Sequence, residues 1–310
     1  MARDQVTGPY LGESFQITVN RPPVADAGPD QTVECTSAGT TAVSLNGTGS
    51  SDPDGDTLTY SWSKGGVVFS TSATPTGNFP IGTTVVTLRV SDGMASDTDT
   101  VSITVQDTTP PVISCPVNIT VECTGDLGVQ ADDPQLAPFF GGVSATDLCD
   151  TTPTITNDAP AFFPLGETIV TFTATDDFGN VSSCSATVKV VDTKAPTITA
   201  TLSAATLWPA NHKLVTIDAA VVVTDECDPN PTFVLTSIVS NEPDNGLGDG
   251  DAPNDIQGAD YGTPDTQFQL RAERAGLLTG RTYTITYTGT DSSGNSAQTQ
   301  VQVKVPHSMK

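Results

Sequence analysis

The carboxylates of this chain are the residues with the clearest chemical potential. Of 310 residues, 36 are Asp or Glu and only 12 are Lys or Arg, which gives a formal net charge of −24. No basic residue lies between Lys213 and Arg271, and seven acids fall within 242–265 alone. Two unit charges about 4 Å apart repel by about 4 kcal/mol at an effective dielectric near 20, so such a loop needs water, protons or a cation between its carboxylates.

Calcium is the cation that suits this acidic span. Ca²⁺ takes six to eight oxygen ligands from carboxylates, backbone carbonyls and water. We expect Asp244, Asp249 and Asp251 to be ligands, with Asp225 and Asp228 as neighbours if the two loops share one end of a sandwich. A solvated acidic loop without metal is the alternative, and the calcium interpretation is preferred.

A second candidate for cation binding is the acidic segment 52–56. Aspartates alternate there around a turn glycine, which can place several carboxylates around a hard cation; they are Asp52, Asp54 and Asp56. The segment is not an EF-hand, because Thr57 takes the position of the invariant glycine and Ser63 that of the bidentate glutamate. Aspartate also bends turns without any metal, and for this loop alone that interpretation is slightly preferred.

Two similar turns, 176–180 and 291–295, combine aspartate with Gly-Asn. Gly and Asn accept positive φ, so both turns fit ordinary hairpins. The linker carboxylates Asp107 and Asp192 offer a way for these turns to bind calcium between domains. The hairpin interpretation is preferred here.

Residues for catalysis are scarce. His212 has no accompanying nucleophile motif such as G-x-S-x-G. Carboxylates are abundant enough that residue types alone do not exclude a glycosidase pair, but Asp-rich turns with few Glu indicate a structural use. Trp208 and Tyr261 offer faces on which a sugar can stack, although plugging the base of a sandwich is the preferred role for Trp208. The sequence therefore predicts that the chain is not an enzyme.

The elements that must carry these residues are strands. The chain is rich in Thr and Val, which favour strands, and in Asp and Gly, which favour turns. The sequence contains no run of about 18 apolar residues that could form a membrane span. Its strong negative charge disfavours nucleic acid as a partner. The segment 1–5 lacks the apolar core of a signal peptide, so we expect a processed piece of a longer protein.

Internal repeats divide the chain. Phe79-Pro80-Ile81-Gly82 returns as Phe163-Pro164-Leu165-Gly166, 84 residues later, and Thr146–Asp150 returns as Thr224–Asp228. Proline-containing linkers follow at 107–111 and 192–196. Short alternating strands in units of this size predict an all-β chain of three tandem Ig-like β-sandwiches. Short proline linkers predict an extended arrangement.

The predicted domains are 21–108, 109–193 and 194–310, preceded by a last strand of a truncated domain at 1–20. The middle domain resembles a hyalin repeat, or HYR domain, through Ile113–Pro116, the Phe163–Gly166 motif, and Val190–Asp192. Residues 21–108 resemble a PKD domain through Gly49–Asp56 and Tyr60–Trp62, but they lack the paired glycine-aspartate motif after the tryptophan. Residues 194–310 resemble an Ig-like module of secreted bacterial proteins through Leu207–Lys213, Ser240–Pro243, Gly246–Asp251 and Arg271–Arg274.

Six cysteines without a C-x-x-C pair favour disulfides over a zinc site and an exported location over a cytosolic one. First and last strands are neighbours in Ig-like sandwiches, and this predicts Cys115–Cys184 with Cys123–Cys149 beside it. Four cysteines allow three connectivities. Cys35 and Cys227 have no partner within their own domains, so we expect thiols or bonds outside those domains.

Together these features predict a non-enzymatic extracellular stalk or adhesion segment of a larger bacterial surface or secreted protein, stiffened by disulfides and calcium. The resemblances imply spacer, adhesion or recognition modules and carry over no catalytic residues. The expected partner is a cell-surface glycan or protein. The alternative function is a glycan- or protein-binding accessory region of a secreted hydrolase.

Overall fold

The computed structural model describes residues 19–244, 253–274 and 280–308. The first strands are β1 (Gln31–Glu34), β2 (Thr41–Ser44), β3 (Thr59–Lys64), β4 (Val67–Ser70), β5 (Thr76–Phe79), β6 (Gly82–Ser91) and β7 (Ser96–Gln106). The next are β8 (Val112–Ser114), β9 (Ile119–Glu122), β10 (Gly128–Gln130), β11 (Ser144–Thr146), β12 (Thr154–Asn157), β13 (Phe162–Pro164), β14 (Gly166–Thr175) and β15 (Val181–Val191).

The last strands are β16 (Thr197–Leu202), β17 (Leu214–Thr224), β18 (Thr232–Ser240), β19 (Ile256–Gln257), β20 (Gln267–Arg271), β21 (Gly280–Thr290) and β22 (Ser296–Pro306). Helix is limited to one 3-10 turn (Pro134–Leu136) and α1 (Ala137–Phe140) in the described residues. The expected all-β, Ig-like fold is therefore confirmed. Within the described ranges, no helix has the length and apolarity needed to cross a membrane.

The strands follow from the period-two alternation of their residues. In β6, Val86, Leu88 and Val90 are fully buried, whereas Val85 just before them and Arg89 between the last two are exposed. The glycine that opens this strand has φ +102°, and Gly166 at the start of β14 has φ +104°. Because L side chains rarely adopt this conformation, the repeated Phe-Pro-x-Gly motif needs its glycine.

The described residues form two compact units. The first contains 19–113, 145–155 and 173–183, and the second contains 114–144, 156–172 and the remaining described residues from 184 onward. In the first unit, a sheet of order β1-β7-β6-β3-β4 and the pair β2-β5 enclose a core around Trp62. The indole N–H of Trp62 donates to the carbonyl of Ser72 at 3.0 Å.

The second unit contains the sheets β16-β17-β20-β19 and β18-β21-β22 and the pair β10-β13. Its largest core is built on β21, where Tyr283, Ile285 and Tyr287 are fully buried. The remaining sheets have the orders β11-β8 and β12-β14-β15-β9. The three-domain boundaries and the extended arrangement stay predictions.

Two short strands end in the same way. Strand β1 pairs in parallel with β7, and β9 pairs in parallel with β15. In each case the next residue is a cysteine whose backbone N–H donates at 2.8 Å to the end of the longer strand, from Cys35 to Gln106 and from Cys123 to Val191. A parallel strand therefore delivers a cysteine to the start of each linker.

The disulfides correct one predicted pair. Cys115 bonds Cys184, as expected, but Cys123 bonds Cys227 and Cys149 bonds Cys35. The expected Cys123–Cys149 pair does not form, because Cys123 lies in the second unit and Cys149 in the first. Each instead meets a cysteine of its own unit at a bridging Cα–Cα distance, 5.6 Å for Cys123–Cys227 and 6.1 Å for Cys35–Cys149.

Candidate cation sites

Carboxylates converge at three places in the described residues. The groups are Asp52, Asp56 and Asp92; Asp107 and Asp147 beside Cys149; and Asp192, Asp225 and Asp291. Within each group the candidate ligand atoms all lie within 4.8 Å of one another. Cys149 is in a disulfide, so its sulfur is not a thiolate ligand.

The first group joins the 52–56 segment to the end of β6. Asp92 accepts the side-chain N–H of Asn20 at 2.9 Å and the backbone N–H groups of Met94 and Ala95 at 2.6 Å each. The Oδ2 atom of Asp52 is buried and accepts no hydrogen bond. Two of the three predicted carboxylates, Asp52 and Asp56, therefore meet a third that the sequence did not single out.

Asp54, the remaining predicted ligand of that segment, is engaged by Arg21. Its carboxylate accepts the backbone N–H of Arg21 at 2.7 Å and the guanidinium Nε–H at 2.8 Å. These contacts, the backbone hydrogen bond first, lower the pKa of Asp54. Asp54 is thus held in an ion pair beside the group rather than within it.

The second group lies at the 107–111 linker. Asp107 follows β7, Asp147 follows β11, and both belong to the first unit with the turn 176–180. The Oδ1 atom of Asp147 accepts the backbone N–H groups of Cys149 and Asp150, at 2.7 and 3.0 Å. Asp107 is only 7% exposed, and burial raises its pKa, with smaller contributions from the charges of Asp147, Asp176 and Glu34.

Asn180 ties the linker to the turn. Its side-chain N–H groups donate to the backbone carbonyl of Asp107 at 3.1 Å and to Oδ2 of Asp176 at 2.8 Å. Burial alone would raise the pKa of Asp176, but hydrogen bonds from Asn180, Phe178 and Gly179 outweigh it and lower the pKa. Asp176 is therefore stabilised as the anion, 6% exposed, next to the linker.

The third group repeats these contacts in the second unit. Asn295 donates to the carbonyl of Asp192 at 3.1 Å and to Oδ2 of Asp291 at 2.9 Å. Asp225 accepts the backbone N–H groups of Cys227 and Asp228, at 2.8 and 2.9 Å.

A further contact of the turn is shared as well. The N–H of Asp177 donates to Asp150 at 3.1 Å, and the N–H of Ser292 donates to Asp228 at 2.7 Å. The two linkers therefore carry the same hydrogen-bonded arrangement.

The predicted 242–265 site is only partly covered by the structure. Asp249 and Asp251 lie outside the described residues. Asp244 accepts the backbone N–H groups of Asn254 and Asp255, at 3.2 and 3.0 Å. Among the described residues, Asp225 groups with Asp192 and Asp291 rather than with Asp244.

Buried arginines balance part of that acidic span. Arg281 is 1% exposed and forms ion pairs with Asp255 and with Glu242, the latter at 3.5 Å. Arg271 approaches Asp255 at 3.4 Å and Glu273 at 3.9 Å. The span has no basic residue of its own, but Arg271 and Arg281, which follow it in sequence, fold back onto it and neutralise some of its acids.

The candidate catalytic residue His212 and the candidate stacking residues Trp208 and Tyr261 each have different surroundings. His212 Nδ1 lies 3.1 Å from the buried carboxylate of Glu273, and the backbone N–H of His212 donates to Ala272, so His212 orders a loop. Trp208 is 47% exposed and does not plug the sandwich, and it lines an open cleft of about 330 Å³ with Leu207 and Pro209. Tyr261 is half exposed and is not among the residues that line that cleft.

A further repeat in the sequence carries the signal for how the cysteines pair. Thr32-Val33-Glu34-Cys35-Thr36 returns as Thr120-Val121-Glu122-Cys123-Thr124. Since Cys35 and Cys123 are equivalent in this repeat, and Cys149 and Cys227 are equivalent in another, the two disulfides could be paired by analogy. The glutamates of the motif also act alike: Glu34 accepts the N–H of Thr108 at 2.7 Å and Glu122 that of Thr193 at 2.8 Å.

Comparison with known proteins identifies two domain families. Residues 106–190 match the HYR domain and residues 20–106 match a PKD domain. Hyalin of Lytechinus variegatus is 37% identical over 140 residues, which is 43% of this chain and 26% of that protein. Hyalin of Strongylocentrotus purpuratus is 36% identical over 141 residues, 43% of this chain and 11% of that protein. The chain thus spans about a quarter or less of these relatives.

Among solved structures, the immunoglobulin domains 1–5 of Sidekick-1 align with a TM-score of 0.33 and 11% identity, over 93% of this chain and 59% of that one.

Proposed function

We propose that this chain is an extracellular, non-enzymatic adhesion segment that transmits tension along a larger protein. The HYR and PKD matches support a module of the adhesion type. Three disulfides in the described residues support an oxidising location. The hydrogen-bonded or ion-paired state of His212 and Asp54 supports structural rather than catalytic use of these polar groups.

The observation that carries this proposal is the overlap of two disulfides. Cys35–Cys149 joins the segment matched by the PKD family to the segment matched by the HYR family, and Cys123–Cys227 joins the latter to the residues that follow. When the chain is pulled from both ends, force passes from Cys35 to Cys149, back through about 26 residues to Cys123, and across to Cys227. Most of the backbone between Cys35 and Cys227 is therefore shielded from tension.

This force path limits how far the chain between Cys35 and Cys227 can extend when it unfolds. About 26 residues of stretched backbone span about 90 Å, whereas the roughly 190 residues from Cys35 to Cys227 span about 650 Å without disulfides. A single-molecule force–extension experiment on the whole chain measures this difference directly. We expect the longer extension only after reduction.

Two matched variants sharpen the experiment. Cys35→Ser with Cys149→Ser leaves the Cys123–Cys227 bridge, so the tensed path from residue 35 lengthens to about 88 residues, or about 300 Å. Cys115→Ser with Cys184→Ser removes a bridge that lies off the shortest path and should leave the extension unchanged. Equal extensions before and after reduction would contradict the proposal.

Calcium belongs to this proposal as the stiffening cofactor predicted from the sequence. The convergence of Asp52 and Asp56 on Asp92, with oxygen ligands only, supports a hard cation at that loop. For the acidic span, calcium at Asp244, Asp249 and Asp251 with Asp225 and Asp228 stays a prediction. So do the bacterial setting and the bacterial character of the third module, which the gene surrounding this segment would test.

The second candidate function is binding of a cell-surface glycan or protein, as in an accessory region of a hydrolase. The observation in its favour is the half-exposed indole of Trp208 beside an open cleft, since exposed aromatic faces stack on apolar sugar faces. A glycan array read with the native chain and with Trp208→Ala tests this function. Hits that disappear in the variant support glycan binding, and an array without hits argues against it.

A further inference from the structure

The linker carboxylate Asp107 has a buried oxygen with no hydrogen-bond partner. Asp107 is 7% exposed, and its Oδ1 accepts the N–H of Thr109 at 3.2 Å, whereas its Oδ2 accepts nothing. A buried charged oxygen without a partner is costly, so native structures rarely keep one without a reason. The environment of Oδ2 is therefore incomplete as the chain stands.

The groups around this oxygen are also acidic. A carboxylate oxygen of Asp147 lies within 4.8 Å of one of Asp107, and Asp176 and Glu34 act on Asp107 as further like charges. The nearby sulfur of Cys149 is bonded to Cys35. The free ligand atoms at this place are thus oxygens with negative charge.

The same incompleteness occurs at the next linker. Asp192 Oδ2 is buried without a hydrogen bond, and it groups with Asp225 and Asp291. Asn295 holds the linker carbonyl there just as Asn180 does at Asp107, with both N–O distances 3.1 Å. The same arrangement therefore occurs at both linkers, and equivalent residues lie about 80 to 115 positions apart in the sequence. This repetition indicates that the arrangement has a role in the linker.

We propose that each linker binds one Ca²⁺, between Asp107 and Asp147 in the first unit and between Asp192, Asp225 and Asp291 in the second. Two or three carboxylates with no nitrogen or thiolate ligand select a hard cation over zinc. Backbone carbonyls and water would supply the remaining ligands. The ion would tie the residue after one sandwich to the turns that follow it, in parallel with the disulfides Cys35–Cys149 and Cys123–Cys227.

This inference rests on the calcium part of the proposed function and places the ion at two named sites. It fails independently of the force path, because that path depends on the disulfides alone. The test is the number of Ca²⁺ ions bound per whole chain, measured by equilibrium dialysis with ⁴⁵Ca²⁺. We expect Asp147→Asn and Asp225→Asn each to remove about one bound ion. Asparagine keeps the Oδ1 acceptor that caps the backbone N–H groups of the turn, so these variants retain the local fold.

Asp177→Asn is the matched control, since Asp177 is exposed in the neighbouring turn and the change removes the same charge. It should leave the number of bound ions unchanged. Asp107→Asn and Asp192→Asn form a second pair of variants. Each should also lose about one bound ion, in agreement with the first variant at the same linker. Non-reducing peptide maps check that all variants keep their disulfides. Wild-type stoichiometry in Asp147→Asn and Asp107→Asn, or an equal loss in Asp177→Asn, would overturn the proposal.

Discussion

Asp107 is the residue that offers the most direct test of the electrostatics of the linker. Burial raises the pKa of this carboxyl, and the like charges of Asp147, Asp176 and Glu34 raise it further. A folded-state pKa above the unfolded value means that the protonated carboxyl favours folding at acid pH. This contribution is lost as the pH rises through the folded-state pKa, so in the absence of a cation the ionised group opposes folding near neutral pH.

Asp107→Asn should therefore raise the melting temperature of the chain in chelator near neutral pH, because asparagine removes the buried charge and keeps the acceptor for Thr109. The expected gain is a few degrees, and it should shrink as the pH falls through the raised pKa of Asp107, below which the wild-type carboxyl is neutral. In saturating calcium the order should reverse. Thermal unfolding of the variant and of Asp177→Asn, across pH and in both media, checks this. A variant less stable than wild type in chelator at every pH would refute it.

At the scale of elements, the strands β20 and β21 depend on a buried ionic network. Arg281 at the start of β21 contacts Glu242 and Asp255, and Arg271 at the end of β20 contacts Asp255 and Glu273. All except Arg271 are almost fully buried. Removing one partner leaves uncompensated charge in the interior, which is far more destabilising than loss of a surface pair.

Arg281→Met should thus cost about 3–5 kcal/mol of unfolding free energy. Arg89→Met, at an exposed position of β6, is the matched control and should stay within about 0.5 kcal/mol of wild type. Denaturant unfolding of both variants measures the difference. The double variant Arg281→Met with Glu242→Gln should lose less unfolding free energy than the sum of the losses in the two single variants, because both changes remove the same interaction. Additive effects would show that Arg281 and Glu242 act separately.

These strands also show which structural features can be predicted from the sequence. Period-two patterns and the repeated Phe-Pro-x-Gly motif predict strands such as β6 and β14, because alternation and a positive-φ glycine are local properties. The partner of Arg281 was beyond reach, since Glu242 lies 39 residues earlier and only tertiary folding brings it to 3.5 Å. The convergence of Asp92 on Asp52 and Asp56 was missed for the same reason.

At the scale of the whole molecule, the cysteine connectivity decides how the chain responds to tension. The bridges Cys35–Cys149 and Cys123–Cys227 close sequence separations of 114 and 104 residues, and they overlap. Had Cys123 bonded Cys149, as the sequence led us to expect, no overlap would exist and tension would unfold most of the backbone. The adhesion proposal therefore depends on which cysteines are joined.

Peptide mapping of the unreduced native chain by mass spectrometry tests this claim most directly. We predict three linked peptide pairs, joining Cys35 to Cys149, Cys115 to Cys184 and Cys123 to Cys227. Trapping of free thiols before digestion controls for exchange between disulfides. Recovery of a Cys123–Cys149 peptide, with Cys35 and Cys227 as free thiols, would contradict the account.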